Sequence, residues 1–269
     1  MIDVSKQNER RNEWTSSKGN QMKWFINDVW YKADYTGYEA FAEYVVSRLL
    51  RYSNLIEAEF VSYDLDQVVY EKQQFAACKS DNFLPEGWQL ITLERLFKSH
   101  FGYGLNQSIY AMESLENRIR FIVEQTIRLT QLHNFGQYMS QLLTIDAFFL
   151  NEDRHTHNIA VLLDDKGAYH LCPIFDNGAT LLSDTRLDYP LNEDVYTLIK
   201  KVQSKTFTQN FDEQLDTVEK IYGRHLRFTF TKNDVERIVL ENNEYPIQVK
   251  QRVLTMLFEQ MRKYQYLFR

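Results

Sequence analysis

"FLNEDRHTHNIAVLLDDKGAYHLCPIFDNGATL", residues 149–181, decides how this chain is read. An apolar helix ends near Leu150, and the polar loop "NEDRHTHN" follows. Two apolar runs, "NIAVLLD" and "AYHLCPIFD", then flank the turn "DDKG", and "DNG" follows the second run. Two such runs around a tight turn read as a β-hairpin. A hairpin brings its outer ends together. Asn158, at the start of the first strand, is therefore expected beside Asp176, at the end of the second. An amide and a carboxylate oxygen there suit a hard cation such as Mg²⁺, which takes oxygen ligands and shares its shell with phosphates. Asp153 lies five residues before Asn158, in the loop and free to face the same point. A carboxylate so placed orients a hydroxyl and accepts its proton during phosphoryl transfer.

Composition bounds the reading. A chain of 269 residues suits one large domain or two lobes sharing a cleft, and its 44% hydrophobic and 14% aromatic residues can fill a sizeable core. No apolar run approaches the roughly 20 residues that span a bilayer. The N-terminal "MIDVSKQNERRNEW" is polar and lacks the apolar stretch of a secretory signal. Cys78 and Cys172 are far apart with apolar neighbours, and read as reduced core cysteines of a cytoplasmic protein. A net charge of −6 with scattered Lys and Arg argues against general nucleic-acid binding, while leaving room for a small anionic ligand.

Four prolines and nine glycines leave few breakers, so long elements are expected. Residues 1–14 read as a frayed arm or short helix. "MKWFI" and "VWYKA" around "ND" read as a hairpin, and "GYEAFAEYVVSRLLRY" as a helix of about four turns. "EAEFVSYDLDQVVYEKQQFAACKS" reads as a further hairpin, and "GWQLITLERLF" as a strand running into a connector. "NQSIYAMESLENRIRFIVEQTIRLTQL" reads as one long amphipathic helix and "FGQYMSQLLTIDAFFL" as a buried one. The chain from residue 184 reads as mainly helical, with Pro246 starting the last helix. The expected fold is α+β and two-lobed: an arm over 1–14, a β-rich N-lobe over 15–96 with one helix, and a helical C-lobe over 97–269 carrying the hairpin.

The spacing D-x-x-x-x-N, then a hairpin, then D-x-G resembles the catalytic and metal-binding arrangement of the protein-kinase-like superfamily. Its form here, Asp153-Arg154-His155-Thr156-His157-Asn158, is similar to the HipA-like bacterial serine/threonine kinases and to the phosphatidylinositol-kinase branch. The N-terminal third favours the former. "SSKGNQMK" resembles their phosphate loop, with Gly19, Gln21 and Lys23 in a G-x-Q-x-K pattern. The resemblance implies ATP and Mg²⁺: Lys32 on the nucleotide phosphates, Glu43 as its helix partner, Asn158 and Asp176 on the metal, and Asp153 as the catalytic carboxylate. It also implies that Ser16 and Ser17 lie in the nucleotide loop, Ser16 matching a self-phosphorylation position best. The backbone at Glu94 to Leu96 would meet adenine. The chain has the length of compact HipT- or CtkA-type members. It departs from ordinary protein kinases in its single loop glycine, in "DNG" for "DFG", and in lacking "APE".

The implied partners are a protein acceptor with a Ser or Thr hydroxyl and, for a toxin of this group, a small antitoxin protein. The implied location is cytoplasmic, with a secreted effector left open. A lipid or small-molecule kinase of the same fold, and a non-catalytic nucleotide-binding module, are the rival functions. Individual residues have rival readings too. Glu39, one turn before Glu43, competes for Lys32. His155 and His157 invite a zinc reading, for which only His170 offers a further nitrogen; packing under the loop suits His155 better. Arg154 reads equally as a phosphate or carboxylate contact and as a surface charge. Trp24, Phe25, Trp30 and Tyr31 read as lobe core.

Overall fold

The computed structural model describes residues 1–5 and 21–269. Ser16, Ser17 and Gly19 of the expected phosphate loop lie outside the described residues, as does most of the arm. The start of the chain is extended: β1 (Ile2–Asp3) pairs in parallel with β4 (Asp64–Tyr70), and Val4 is buried behind it. Within residues 1–5 a short strand stands where a frayed or helical start is expected, because Ile2 and Val4 join a small core with Trp24, Ala33 and Val68.

Two hairpins build the rest of this sheet. β2 (Lys23–Ile26) and β3 (Val29–Ala33) turn through Asn27 and Asp28, both at positive φ. β4 and β5 (Gln73–Asp81) turn through Glu71 and Lys72, also both at positive φ. Two-residue turns of this kind match the right-handed twist of the flanking strands. The sheet order is β1-β4-β5-β3-β2. Alternation along β3 sends Tyr31 and Ala33 towards the small core and Trp30 and Lys32 towards the cleft.

Helix α1 (Glu39–Leu50) follows β3 and is buried along most of its length. Two acidic side chains hold its start. Asp34 Oδ1 accepts the Ala40 N–H at 2.7 Å, and the Glu39 carboxylate accepts the N–H groups of Tyr35, Thr36 and Gly37. Gly37 must be glycine, since a Cβ there would lie 1.8 Å from the Ser183 carbonyl oxygen.

Strand β6 (Gln89–Thr92) pairs with β7 (Ala160–Leu163), which pairs with β8 (Tyr169–Leu171), forming a second, antiparallel sheet. The stretch after β6 is not a connector. Thr92 caps helix α2 (Leu93–Phe101), and Gly102, at positive φ, ends it. The expected long helix over 106–132 is two helices, α3 (Leu105–Tyr110) and α4 (Leu115–Thr130), because Ser114 caps the second by accepting the Asn117 N–H. Helix α5 (Phe135–Phe149) is buried almost throughout and is the centre of the helical half. Helices α6 (Val195–Lys201), α7 (Phe211–Tyr222), α8 (Lys232–Leu240) and α9 (Ile247–Lys263) complete the chain, with Pro246 as the cap of α9. One large core joins α1 to these helices. Among the described residues no helix is long and apolar enough to cross a membrane.

Candidate active site

The hairpin fold of residues 158–176 has the reason the sequence suggests. Asp164 Oδ1 accepts the N–H groups of Lys166 and Ala168, and Gly167 takes the positive φ that closes the turn. Leu150, left-handed at φ 58, ends α5, and the Asn151 N–H returns to the Asp146 carbonyl at 2.8 Å. The next eight residues form a loop folded on its own polar groups. Asn151 Oδ1 accepts the Asp153 N–H, while the Asp153 carbonyl accepts the His155 N–H at 2.9 Å and the Asn158 amide at 3.1 Å. Asn158 thus spends its Nδ2 on the loop and lines the cleft cavity.

Arg154 fastens this loop to the end of the hairpin. Its Nη1 donates to both the Asn158 carbonyl, at 3.2 Å, and the Phe175 carbonyl, at 2.7 Å. Its Nη2 donates to Asn177 Oδ1 at 2.8 Å, and its Nε meets Asp146 at 3.1 Å, with both side chains fully buried. Two carbonyls on one guanidinium nitrogen bring the outer ends of the hairpin together, as the opening stretch implies. Of the two readings of Arg154 it is the buried carboxylate contact that holds. Burial pushes the Asp146 carboxyl up to about 6, and Arg154 limits that rise.

From the other side, Lys32 reaches the same place. Its Nζ lies 2.5 Å from Glu43 Oε1, 3.1 Å from Asp176 Oδ1 and 3.1 Å from the Tyr63 hydroxyl. Glu43 is wholly buried, and its second oxygen accepts the Asn177 N–H at 2.9 Å. One carboxylate therefore joins the β3 lysine to the D-N-G segment. Glu39, the rival partner, is engaged at the start of α1 instead. Burial alone would lower the Lys32 pKa, but Glu43, Tyr63 and Asp176 together raise it well above its ordinary value. Burial likewise works against an ionised Asp176, yet Lys23, at 3.8 Å, and Lys32 hold its carboxyl well below the usual range.

Backbone strain is concentrated here. Asp176, Leu181 and Leu182 all sit at positive φ, which costs an L-residue roughly 1–2 kcal/mol each. Hydrogen bonds from Leu181 N to the Phe149 carbonyl and from the Tyr38 hydroxyl to the Leu181 carbonyl hold the segment. It is held in turn against α1 by the bond from Tyr38 N to the Ser183 carbonyl.

Gln21, Lys23, Lys32, Asp153, Asn158 and Asp176 line a single cavity of about 400 Å³. Asp176 keeps 20% of its side chain exposed to it. Of the stretch Glu94 to Leu96, Arg95 lines it, and Glu94 and Leu96 do not. Leu96 is buried in the main core, and Glu94 faces away, its N–H on the Thr156 carbonyl and its carboxylate on the Asn106 N–H and the Thr156 hydroxyl. The helical turn of α2 thus leaves only Arg95 of that stretch, with Thr92 before it, at the cavity. The cavity is walled also by Asn82, Phe83 and Leu84, directly after β5, with Leu90 and Phe175. The sequence carried the signal for this, since Thr92, Leu93, Leu96, Phe97 and Gly102 spell a capped amphipathic helix.

Trp24 is core as expected, but Trp30 lines the cleft. His155 and His157 face the cavity as well, whereas His170 stacks on Trp88 and bonds Asp164 at 3.0 Å. Among the described residues no group of three or more His, Cys, Asp or Glu side chains is placed to hold a metal. An amide oxygen and a carboxylate at one spot do suit an ion that completes its shell from phosphate and water. Cys78 and Cys172 are both unpaired and buried.

No protein-family model matches the chain, and no curated protein matches it. Among solved structures it is similar to the Helicobacter pylori proinflammatory kinase CtkA, with a TM-score of 0.58 and 19% identity over 98% of this chain and 94% of that one. At that identity the likeness is one of fold. The chain has a two-lobed protein-kinase-like fold, as its motif resemblance implies.

Proposed function

We propose that this protein transfers the γ-phosphoryl group of ATP to a serine or threonine hydroxyl of a protein. The observation that carries the reading is the convergence of Lys32, Asp153, Asn158 and Asp176 on one cavity, with Lys32 fixed by Glu43 from behind. Charge explains the assembly. Lys32 now lies against Asp176, a cation where the site would hold a divalent ion. On nucleotide binding Lys32 exchanges Asp176 for phosphate oxygens, and its bond to Glu43 keeps it in reach of both. Asn158 and Asp176 would hold Mg²⁺, which when bound neutralises the phosphate charge that develops during transfer. Asp153, on a loop locked by its own carbonyl, orients the acceptor hydroxyl and takes its proton. The protein's contribution is positioning and fixed charge.

The apolar wall of Phe83, Leu84, Leu90 and Phe175 suits the base, so the hinge between lobes is assigned to residues 82–88. This moves the lobe boundary ahead of β6, whose hydrogen bonds go to the catalytic hairpin.

Intact-mass measurement after incubation with Mg-ATP, with and without added protein, tests the reading. Added phosphoryl groups on this chain or on the acceptor are expected. Asp153→Ala and Asp176→Ala should each lower transfer by about 10³-fold. Asp176→Ala should also abolish the Mg²⁺-dependent thermal stabilisation by ATP. Wild-type turnover in either variant would end the assignment. Label found only in lipid or metabolite would move the acceptor to another class.

A further inference from the structure

Glu152, the neighbour of Asp153, lines a second cavity of about 730 Å³. Its wall is a polar loop, residues 203–209, tied directly to the catalytic loop. The Thr206 hydroxyl donates to the Arg154 carbonyl at 2.5 Å, and the Phe207 N–H reaches Gln214 Oε1 at 3.0 Å. The Tyr110 hydroxyl closes the other side, donating to the Thr206 carbonyl at 2.9 Å. These bonds fix the cavity before anything enters it, which lowers the ordering cost of binding.

Its charge is unusual for a chain with a net −6. Arg118, Lys201 and Lys205 all line it. Arg118 donates only to neutral carbonyls, those of Met112 and Phe207, and lies over the Tyr110 ring. Among the described residues neither Arg118 nor Lys201 forms a salt bridge. Lys205 lies 4.0 Å from Glu152, a carboxylate that is nearly buried and already accepts the Tyr189 hydroxyl. Asp188 is the one exposed carboxylate on this wall among the described residues. Apolar surface flanks the charge: Tyr110 is 53% exposed and Leu187, next to Asp188, 69%.

We propose that this cavity docks an acidic stretch of the acceptor protein and presents a neighbouring hydroxyl to Asp153. The proposal rests on the phosphoryl-transfer reading for its purpose, but not for its binding chemistry. A polypeptide fits better than a small anion because three cations spread over a wide cavity, with apolar side chains beyond them, match an extended partner of several residues. Cations placed this way steer an acidic partner and fix its register, and salt screens them.

The test uses the full chain with dephosphorylated casein as acidic acceptor and histone as basic acceptor. Wild type should show the lower KM for casein, rising with salt. Lys201→Glu/Lys205→Glu, at two exposed positions, should raise that KM by about tenfold with kcat unchanged. The thermal shift given by Mg-ATP should not move. A labelled peptide of alternating Glu and Ser measures docking without turnover, and the same variant should bind it about tenfold more weakly, with Lys201→Ala/Lys205→Ala in between. Equal affinity of wild type and variant, or a wild-type preference for histone, overturns the proposal. So does charge-dependent binding to RNA or anionic vesicles with none to the peptide. Peptide binding without any transfer would instead sink the catalytic reading and leave the docking surface standing.

Discussion

The two walls of the cleft are fastened by different means. On the C-terminal wall Arg154 is fully buried and bonds two carbonyls, an amide oxygen and a carboxylate. None of these partners faces the cavity as an exchangeable charge. On the N-terminal wall Lys32 bonds Glu43, Tyr63 and Asp176, and Asp176 is open to the cavity. The first arrangement sets where Asp153 and Asn158 stand. The second can change partners when a ligand arrives. A site that must hold geometry and also accept charge divides the two tasks between residues, and Arg154 is the cation that does not line the cavity.

Removing Arg154 should therefore have the largest effect on stability. Arg154→Ala leaves Asp146 buried without its cation and two carbonyls without a donor. The expected loss is about 3–5 kcal/mol, a fall in Tm on the order of 10 °C. The double change Asp146→Leu/Arg154→Met should recover only the part of that Tm owed to the unpaired Asp146, since the two carbonyls still lack a donor, and it should not recover phosphoryl transfer. Thermal unfolding beside a turnover assay checks both. A double variant that regains activity would show that Arg154 does not set the loop.

Much of this division can be read in the sequence, and part cannot. The D-x-x-x-x-N loop, the hairpin and the Asn27-Asp28 turn are local, so spacing and turn chemistry reveal them. Lys32 and Glu43 are visible as a strand lysine and a helix glutamate. The choice of Glu43 over Glu39 depends on Tyr35, Thr36 and Gly37 N–H groups converging on Glu39, which no periodicity records. Arg154 stays ambiguous for the same reason, its partners lying as far off as Asn177. Tyr63 and the cavity residues Asn82 to Leu84 escape notice because nothing distinguishes them until β5 is paired. The expectation that Glu94 and Leu96 face the cavity differs in kind, since the helix signal from Thr92 to Gly102 was local and legible.

Glu43→Gln sharpens the comparison from the other wall. The glutamine oxygen can still accept the Asn177 N–H, so the D-N-G segment stays attached and Tm should change by only about 2–4 °C, equivalent to roughly 1 kcal/mol. Lys32 loses its anionic anchor and is left to Asp176 and Tyr63. Transfer should fall about 10–100-fold, with weaker Mg-ATP binding contributing, as measured by kcat and KM. A Tm loss as large as that of Arg154→Ala, with turnover preserved, would reverse the roles given to the two walls.

The smallest effect on transfer is expected at Asp34, where the two halves of the molecule touch outside the cleft. Asp34 Oδ2 accepts the Tyr245 hydroxyl at 2.8 Å, and Tyr245, just ahead of α9, stacks on Phe41 of α1 at 4.6 Å. Burial first, and Glu39 second, push the Asp34 carboxyl up to about 8. An unfolded aspartate ionises near 4. Between those values the folded protein keeps a proton that the unfolded chain releases, so this group's contribution is fully present below about pH 4 and declines as pH rises towards 8. Asp34→Asn keeps an acceptor for the Ala40 N–H and removes the titration. The variant's Tm should therefore fall less than wild type's between pH 5 and pH 8, by a margin worth about 3–4 kcal/mol. Parallel Tm curves for the two proteins would mean that the contact between Asp34 and Tyr245 joins the halves without sensing protons.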